Sequence, residues 1–214
     1  MNKERLVTAK QAWRFPIYLN YLRNVLESGT KKLSVLEIAT DCGLSQEEVN
    51  QDLETIEFSF GSTQSLLKVD ELINKISNFL GYDTTKNMII IGVGSLGTSL
   101  IRYKELGKIG FKIVAGFEHF TKLVGTNVEG VPVYEFDDLE KILPKLNCEM
   151  AIICVPYKEA KFVLDKLIKV GIKAIWNFAP IFLKNDDENC VIENVYLNSS
   201  LATLYHNYCL KNDK

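Results

Sequence analysis

Met88-Ile89-Ile90-Ile91-Gly92-Val93-Gly94-Ser95-Leu96-Gly97 is the stretch on which the fold turns. Four consecutive apolar residues suit a strand buried on both faces of a parallel sheet, where helices cover either side. In the GxGxxG that follows, each glycine has a physical reason. Gly92 permits a tight turn, Gly94 lets the backbone approach a pyrophosphate, and Gly97 lets the next helix pack against the strand. A helix opening there offers N–H groups and the positive end of its dipole to phosphate oxygens. A glycine turn with no ligand is the alternative reading; the strand before it and the helix after it favour the site.

Moving outward, similar apolar runs recur at Phe111 to Phe117, Met150 to Val155 and Lys173 to Phe178, separated by helical stretches. Repeated strand–helix units predict an α/β domain with right-handed crossovers. Glu118 closes the second strand, 21 residues after Gly97. A carboxylate there accepts hydrogen bonds from both ribose hydroxyls and repels a 2′-phosphate; a solvated strand end is the other reading. No Arg follows Lys112, which also argues against NADP, so the expected cofactor is NAD(H). Ser199 to Leu210 reads as a final helix carrying Leu201, Leu204, Tyr205 and Tyr208.

The amino-terminal part has a different texture. From Ala9 to Leu26, Trp13, Ile17, Leu22, Val25 and Leu26 recur at helical spacing, and Ser28-Gly29 ends the pattern. Ser34 with Glu37, and Ser45 with Glu48, are capping boxes that open two short helices on either side of Cys42-Gly43. Val49, Leu53 and Ile56 then face inward. This is the layout of a helix-turn-helix, with Ser59 to Lys68 as a wing and a further helix from Val69 to Leu80, closed by Gly81. The predicted division is a winged-helix domain at 1–82, a Rossmann domain at 83–197 and a terminal dimerisation helix at 198–214.

Composition narrows the function classes. Apolar residues make up 47% and charged residues 24% of the 214, as in soluble globular proteins. The net charge of −2 predicts no general attraction to nucleic acid or membranes. No apolar run approaches the ~18–20 residues of a membrane span, and no signal-peptide core is visible, so a cytoplasmic protein is expected. The cysteines (Cys42, Cys148, Cys154, Cys190, Cys209) form no CxxC pair, and His119 and His206 are the only histidines, so neither a disulfide frame nor a metal site is expected. Cys154 reads as a buried structural thiol. A dehydrogenase needs a proton donor beside the nicotinamide. His119 sits at the adenosine side and His206 in the terminal helix, so no catalytic residue is assigned and a sensor is favoured over an enzyme.

The chain resembles the Rex family of bacterial repressors that sense the NADH/NAD+ ratio. The resemblance is carried by Ile91 to Gly97, Val124-Gly125-Thr126 with Gly130 to Tyr134, Val155-Pro156, Gly171 to Pro180, and Phe15 to Leu22. It implies a homodimer whose terminal helix is swapped onto the partner, closed by NADH and then released from its DNA operator. It also implies that Val155, Pro156, Asn177 and Phe178 line the nicotinamide end, with Tyr103 near the carboxamide. Gly92, Val93, Gly94, Ser95, Leu96, Gly97 and Glu118 complete the expected cofactor site.

The departures from the family pattern fall in the DNA-reading part. Members carry two adjacent basic residues before an Asp in the recognition helix; here Asn50-Gln51 precede Asp52. The wing reads Gly61-Ser62-Thr63-Gln64-Ser65 rather than being basic. Between Cys42 and Leu67 there is no Lys or Arg, against Glu47, Glu48, Asp52, Glu54 and Glu57, most of which are expected to face outward. Losing two basic readers and a basic wing removes about 4–6 kcal/mol of DNA affinity. What remains for DNA is Ser45, Gln46, Asn50, Gln51 and Thr55, of which Asn50 and Gln51 can pair with adenine; Arg14, Arg23, Lys31 and Lys32 are candidates for phosphates. The family's coupling cluster maps onto Arg14, Tyr103 and Tyr196, with Tyr196 where an Asp is usual, so Arg14 is expected to lack its anion. Three readings follow: a Rex-like NAD(H)-responsive repressor; a paralogue that has lost autonomous DNA binding and acts through protein partners such as another Rex chain; and a small NAD-dependent oxidoreductase.

Overall fold

The computed structural model describes residues 8–58, 66–119 and 122–212. The chain forms two compact units, Met1–Thr84 and Thr85–Lys214.

In the first unit, α1 (Ala9–Glu27) opens on a capping box between Thr8 and Gln11. After β1 (Lys32–Leu33), α2 (Val35–Cys42) and α3 (Gln46–Thr55) each open on the serine capping boxes that the sequence predicts, Ser34 with Glu37 and Ser45 with Glu48. Gly43 joins them at φ +68°, a left-handed conformation costly for a residue with a Cβ. β2 (Leu67–Lys68) pairs antiparallel with β1, and α4 (Val69–Phe79) completes the unit. Phe15, Tyr18, Leu19, Leu22, Ile38, Val49, Leu53, Leu72 and Ile76 form its core. The buried stripe of α1 is therefore not the expected one: Trp13 is 71% exposed and Leu26 is also exposed. At about 100° per residue, Trp13 falls on the far side of the helix from Phe15, Tyr18 and Leu22. Of the expected wing, Ser59 to Ser65 lie outside the described residues.

The second unit carries β3 (Lys86–Ile91), α5 (Ser95–Arg102), α6 (Glu105–Lys108), β4 (Phe111–Glu118), β5 (Asn127–Val128) and β6 (Val131–Glu135). They are followed by α7 (Leu139–Ile142), β7 (Met150–Ile153), α8 (Tyr157–Lys169), β8 (Ala174–Asn177), β9 (Val191–Asn194) and α9 (Leu197–Asn212). The sheet order is β5-β6-β4-β3-β7-β8-β9, with β5–β6 antiparallel and the other pairs parallel. Counted from β3, the parallel strands run 3-2-1-4-5-6, the order of a dinucleotide-binding sheet. Ile89 and Ile91 pack into one face with Phe117, Val163 and Leu167. Met88 and Ile90 pack into the other with Leu106 and Ile113. Both faces are covered, which is why the strand is apolar throughout. The chain moves outward from β3 through β4 to β6, then returns to β7, so the crossovers reverse between β3 and β7. That reversal opens a crevice at the carboxyl ends of the strands.

α9 carries Leu201, Leu204, Tyr205 and Tyr208 at i, i+3, i+4 and i+7, each more than three-fifths exposed. Among the described residues, no helix is long and apolar enough to cross a membrane, and no cluster of three or more His, Cys, Asp or Glu could hold a metal ion.

Candidate dinucleotide cleft and reading helix

The cleft is built from strand ends. Where β3 stops, Gly92 takes φ +90°, and a Cβ there would lie 2.6 Å from the Cys154 carbonyl oxygen. A Cβ on Gly97 would lie 2.0 Å from the Gly92 oxygen, so the helix can approach the turn only as glycine. Gly94 differs: the space its Cβ would enter is open, and as N-cap it offers α5 no side-chain acceptor. The first N–H groups of α5 are thus left to whatever lies in front of them, beside the positive end of the helix dipole. Glu118 reaches over from β4; its Oε2 accepts from the Val93 N–H and its Oε1 from the His119 N–H, both at 2.7 Å. Each oxygen keeps a further lone pair for a ligand hydroxyl.

Of the residues expected to bind the cofactor, Gly92, Gly94, Leu96, Glu118, Val155, Pro156 and Phe178 line one cleft of about 490 Å³. His119, Cys154, Glu159 and Pro180, to which sequence reasoning gave no place in the site, line it too. The signal for His119 was its position directly after Glu118, the expected ribose carboxylate. Burial pushes the Cys154 thiol up to about 12, which leaves it protonated and a poor nucleophile. The Cys42, Cys148 and Cys190 thiols are raised for the same reason.

Val93, Ser95, Gly97, Tyr103 and Asn177 are not in the lining. Val93 contributes its main-chain N–H to Glu118, and Tyr103 ends α5, about half exposed. Asn177, expected at the nicotinamide end, has its side chain engaged by its own loop and by the next strand. It is 1% exposed; its Nδ2 donates to the Ile181 carbonyl and to Asn194 Oδ1, and its Oδ1 accepts from the Ala179 N–H, all at 2.9 Å. Asn177 therefore holds the loop that presents Phe178 and Pro180. Asn194 lies on another strand, 17 residues on, where no local pattern links the two.

The reading helix is arranged differently. Asp52, one of the five acids of which most were expected to face outward, is fully buried. Its two oxygens accept from Arg14 Nε and Nη2, each at 2.6 Å, and Oδ2 accepts from the Tyr18 hydroxyl at 2.6 Å. The hydrogen bond to Asp52 raises the Arg14 guanidinium above its ordinary value, and burial, then Asp52, raises the Tyr18 phenol. Arg14 is 5% exposed, so it is no phosphate contact, and it does not lack an anion: its partner is Asp52 in the same unit. The pairing escaped the sequence reading because its members are 38 residues apart. Glu48 Oε1 also faces Arg14 at 3.4 Å and Lys10 at 3.3 Å.

Of the five residues proposed for DNA, Ser45 is engaged in its cap with Glu48. Thr55 accepts from Gln11 and donates to the Gln51 carbonyl. Gln46 and Gln51 are exposed and Asn50 is half-buried, with Gln51 3.5 Å from Glu47. Tyr196, the third member of the expected coupling set, stacks on Phe182 at 6.2 Å between centroids.

A helix-turn-helix unit joined to a Rossmann-type unit with a glycine-lined cleft defines a nucleotide-cleft protein with a winged-helix-type module. Residues 83–181 match the family model described as a CoA binding domain. Over 204 residues, 95% of this chain, it is 37% identical to the redox-sensing transcriptional repressor Rex of Clostridium botulinum, covering 96% of that protein. It is 34% identical to Rex of Thermoanaerobacter sp. (strain X514), over 95% of this chain and 90% of the relative. Two crystal structures of RSP, a Rex-family repressor, are similar at 32% identity: the complex with NADH (TM-score 0.87, 97% of this chain and 96% of that one) and the complex with NAD+ and operator DNA (TM-score 0.88, 97% and 94%). The chain belongs to the Rex family of redox-sensing transcriptional repressors; its relatives carry the names of regulators, not of enzymes.

Proposed function

We propose that this chain is an NAD(H)-responsive transcriptional regulator. The observation that carries the reading is the glycine turn at Gly92–Gly97 with the Glu118 carboxylate in the same cleft, in a family where RSP has been solved with NADH and with NAD+. The α5 N–H groups receive the pyrophosphate, and Glu118 takes the ribose hydroxyls and turns away a 2′-phosphate. Val155, Pro156 and Phe178 wall the nicotinamide end, with Tyr103 near its carboxamide by family match. What the bound cofactor supplies is its redox state, cationic nicotinamide or neutral dihydronicotinamide. The working division is 1–82, 83–197 and 198–214. The exposed stripe of α9 supports a homodimer, and the protein acts in the cytoplasm.

One observation favours a second reading, a family member that senses NAD(H) but does not bind DNA alone, pairing instead with a protein partner such as another Rex chain. Residues 43–58, which hold the reading helix, contain no Lys or Arg, and Arg14 is engaged by Asp52. Binding of the full-length protein to a Rex-type operator and to mixed-sequence duplex, in a salt series with NAD+ or NADH, separates the two. Operator binding released by NADH is the result expected of a repressor. Intact NADH binding without DNA binding in either cofactor state establishes the second reading. Failure to bind either cofactor overturns both.

A further inference from the structure

We propose that Asn194 is a positioning residue for the cleft: with Asn177 it fixes the loop that carries Phe178 and Pro180, so that this wall is preformed for the nicotinamide end of the dinucleotide. This deepens the NAD(H) reading and rests on it.

The sheet order says which end of a ligand meets that wall. Glu118 ends β4 on one side of β3, and Phe178 follows β8 on the other side, beyond β7. Both residues line the same cleft. A dinucleotide with its pyrophosphate at the turn after β3 and its adenosine ribose at Glu118 therefore points its nicotinamide half towards Phe178 and Pro180.

The wall is held by side-chain amides in place of a strand. Buried main-chain groups outside a ladder must find partners elsewhere. Leu183, 3% exposed, lies in the loop between β8 and β9. Its N–H donates to Asn194 Oδ1 at 3.0 Å, and its carbonyl accepts from Asn194 Nδ2 at 2.9 Å. These are the two bonds that a neighbouring antiparallel strand would supply. Asn194 Oδ1 accepts a second bond from Asn177 Nδ2, which also donates to the Ile181 carbonyl, both at 2.9 Å. Asn177 Oδ1 accepts from the Ala179 N–H. The two amides thus fix Ala179, Ile181 and Leu183, and the wall residues are set among these points. Phe178 is steadied further by its N–H bond to the Ile153 carbonyl at 2.9 Å, and its ring lies edge-on to Trp176, 4.5 Å between centroids at 66°.

The chemistry asks for asparagine at 194. The side chain must donate to one group and accept from two others close to its own main chain. An aspartate lacks the donor, and an apolar residue lacks both functions. Without the clasp, a ligand that reaches the wall has to order the loop as it binds, which costs affinity. A ligand that stops short of the wall does not bear that cost.

The test is isothermal titration calorimetry of the full-length protein with NADH and with ADP-ribose, which lacks the nicotinamide ring. In Asn194→Ala the ratio of NADH affinity to ADP-ribose affinity is expected to fall about tenfold. Asn194→Asp keeps the accepted bonds and gives up the donated one, so the ratio falls by about threefold; this variant decides the matter if the alanine variant does not fold. In a Phe178→Ala background, adding Asn194→Ala lowers the ratio by less than about twofold more, because the two residues act through one wall. A merely structural residue would weaken both ligands alike and leave the ratio where it was. A ratio equal to the parent's in the folded variants, or an undiminished fall on top of Phe178→Ala, overturns the inference and leaves the cofactor reading standing. Failure of the parent to bind NADH overturns both.

Discussion

In the α/β unit the polar groups at the strand ends face a cleft: Glu118 is fixed by main-chain donors with lone pairs to spare, and Gly94 leaves open space before α5. In the helical unit the strongest polar groups face one another, Arg14 with Asp52 and Tyr18, away from solvent. The outward face of α3 offers Gln46, Gln51, Glu47 and a half-buried Asn50. The first arrangement is prepared for a ligand. The second stabilises its own helices and does little to attract a phosphate backbone, whose affinity comes chiefly from cations. Fold membership and ligand recognition are thus separable within one chain, because a helix-turn-helix core is maintained by Val49, Leu53 and Asp52 while reading depends on residues that the core does not constrain.

The sharpest way to break this comparison is to open the buried pair. Asp52→Ala leaves Arg14 charged at 5% exposure with only Glu48 Oε1, 3.4 Å away, to answer it, and is expected to cost about 3–5 kcal/mol, measured by denaturant unfolding of the full-length protein. Replacing both members with apolar residues, Arg14→Met with Asp52→Leu, is expected to recover most of that loss. If the single variant unfolds like the parent, the pair is not what holds α1 to α3. A smaller effect is expected from Gly97→Ala, where the new Cβ meets a carbonyl oxygen at 2.0 Å. Overpacking of this kind costs about 1–3 kcal/mol, and here it also displaces the turn. NADH affinity is therefore expected to fall with thermal stability, whereas the helical unit's DNA behaviour stays as in the parent.

How legible each region was follows the same divide. β3, β4, β7 and β8 are visible because a strand covered on both faces must be apolar along its length, and the glycine turn is visible because backbone geometry dictates residue type locally. The caps at Ser34 and Ser45 are local as well, a hydroxyl and a carboxylate three residues apart. β1 and β5 are two residues each, too short for any period to register, and β6 contains Pro132. β9 alternates between exposed and half-buried at the sheet edge, so it shows no apolar run. The Arg14–Asp52 pair and the Asn177–Asn194 clasp join residues far apart in sequence. A charge count alone therefore could not say which of the five acids is buried, and it left Arg14 without its partner.

The smallest expected effect is also the one that sharpens the comparison most. Asn50→Arg with Gln51→Lys places two cations on α3 at the positions where family members carry them, without touching the buried face formed by Val49, Asp52 and Leu53. Each well-placed base contact is worth roughly 1–3 kcal/mol, but the exposed Glu47 and Glu54 remain on the helix and oppose a phosphate backbone. The net gain expected is about tenfold in affinity for a Rex-type operator at moderate salt. The gain is read by fluorescence anisotropy and should come with a steeper salt dependence, by about one unit of slope for each phosphate newly neutralised. Such a gain, with NADH affinity unchanged, assigns the deficit to the reading face alone. No gain, with the variant folded and binding NADH as before, places the obstacle in the remaining acids, and Glu47→Gln added to the same background should then restore what the two cations could not.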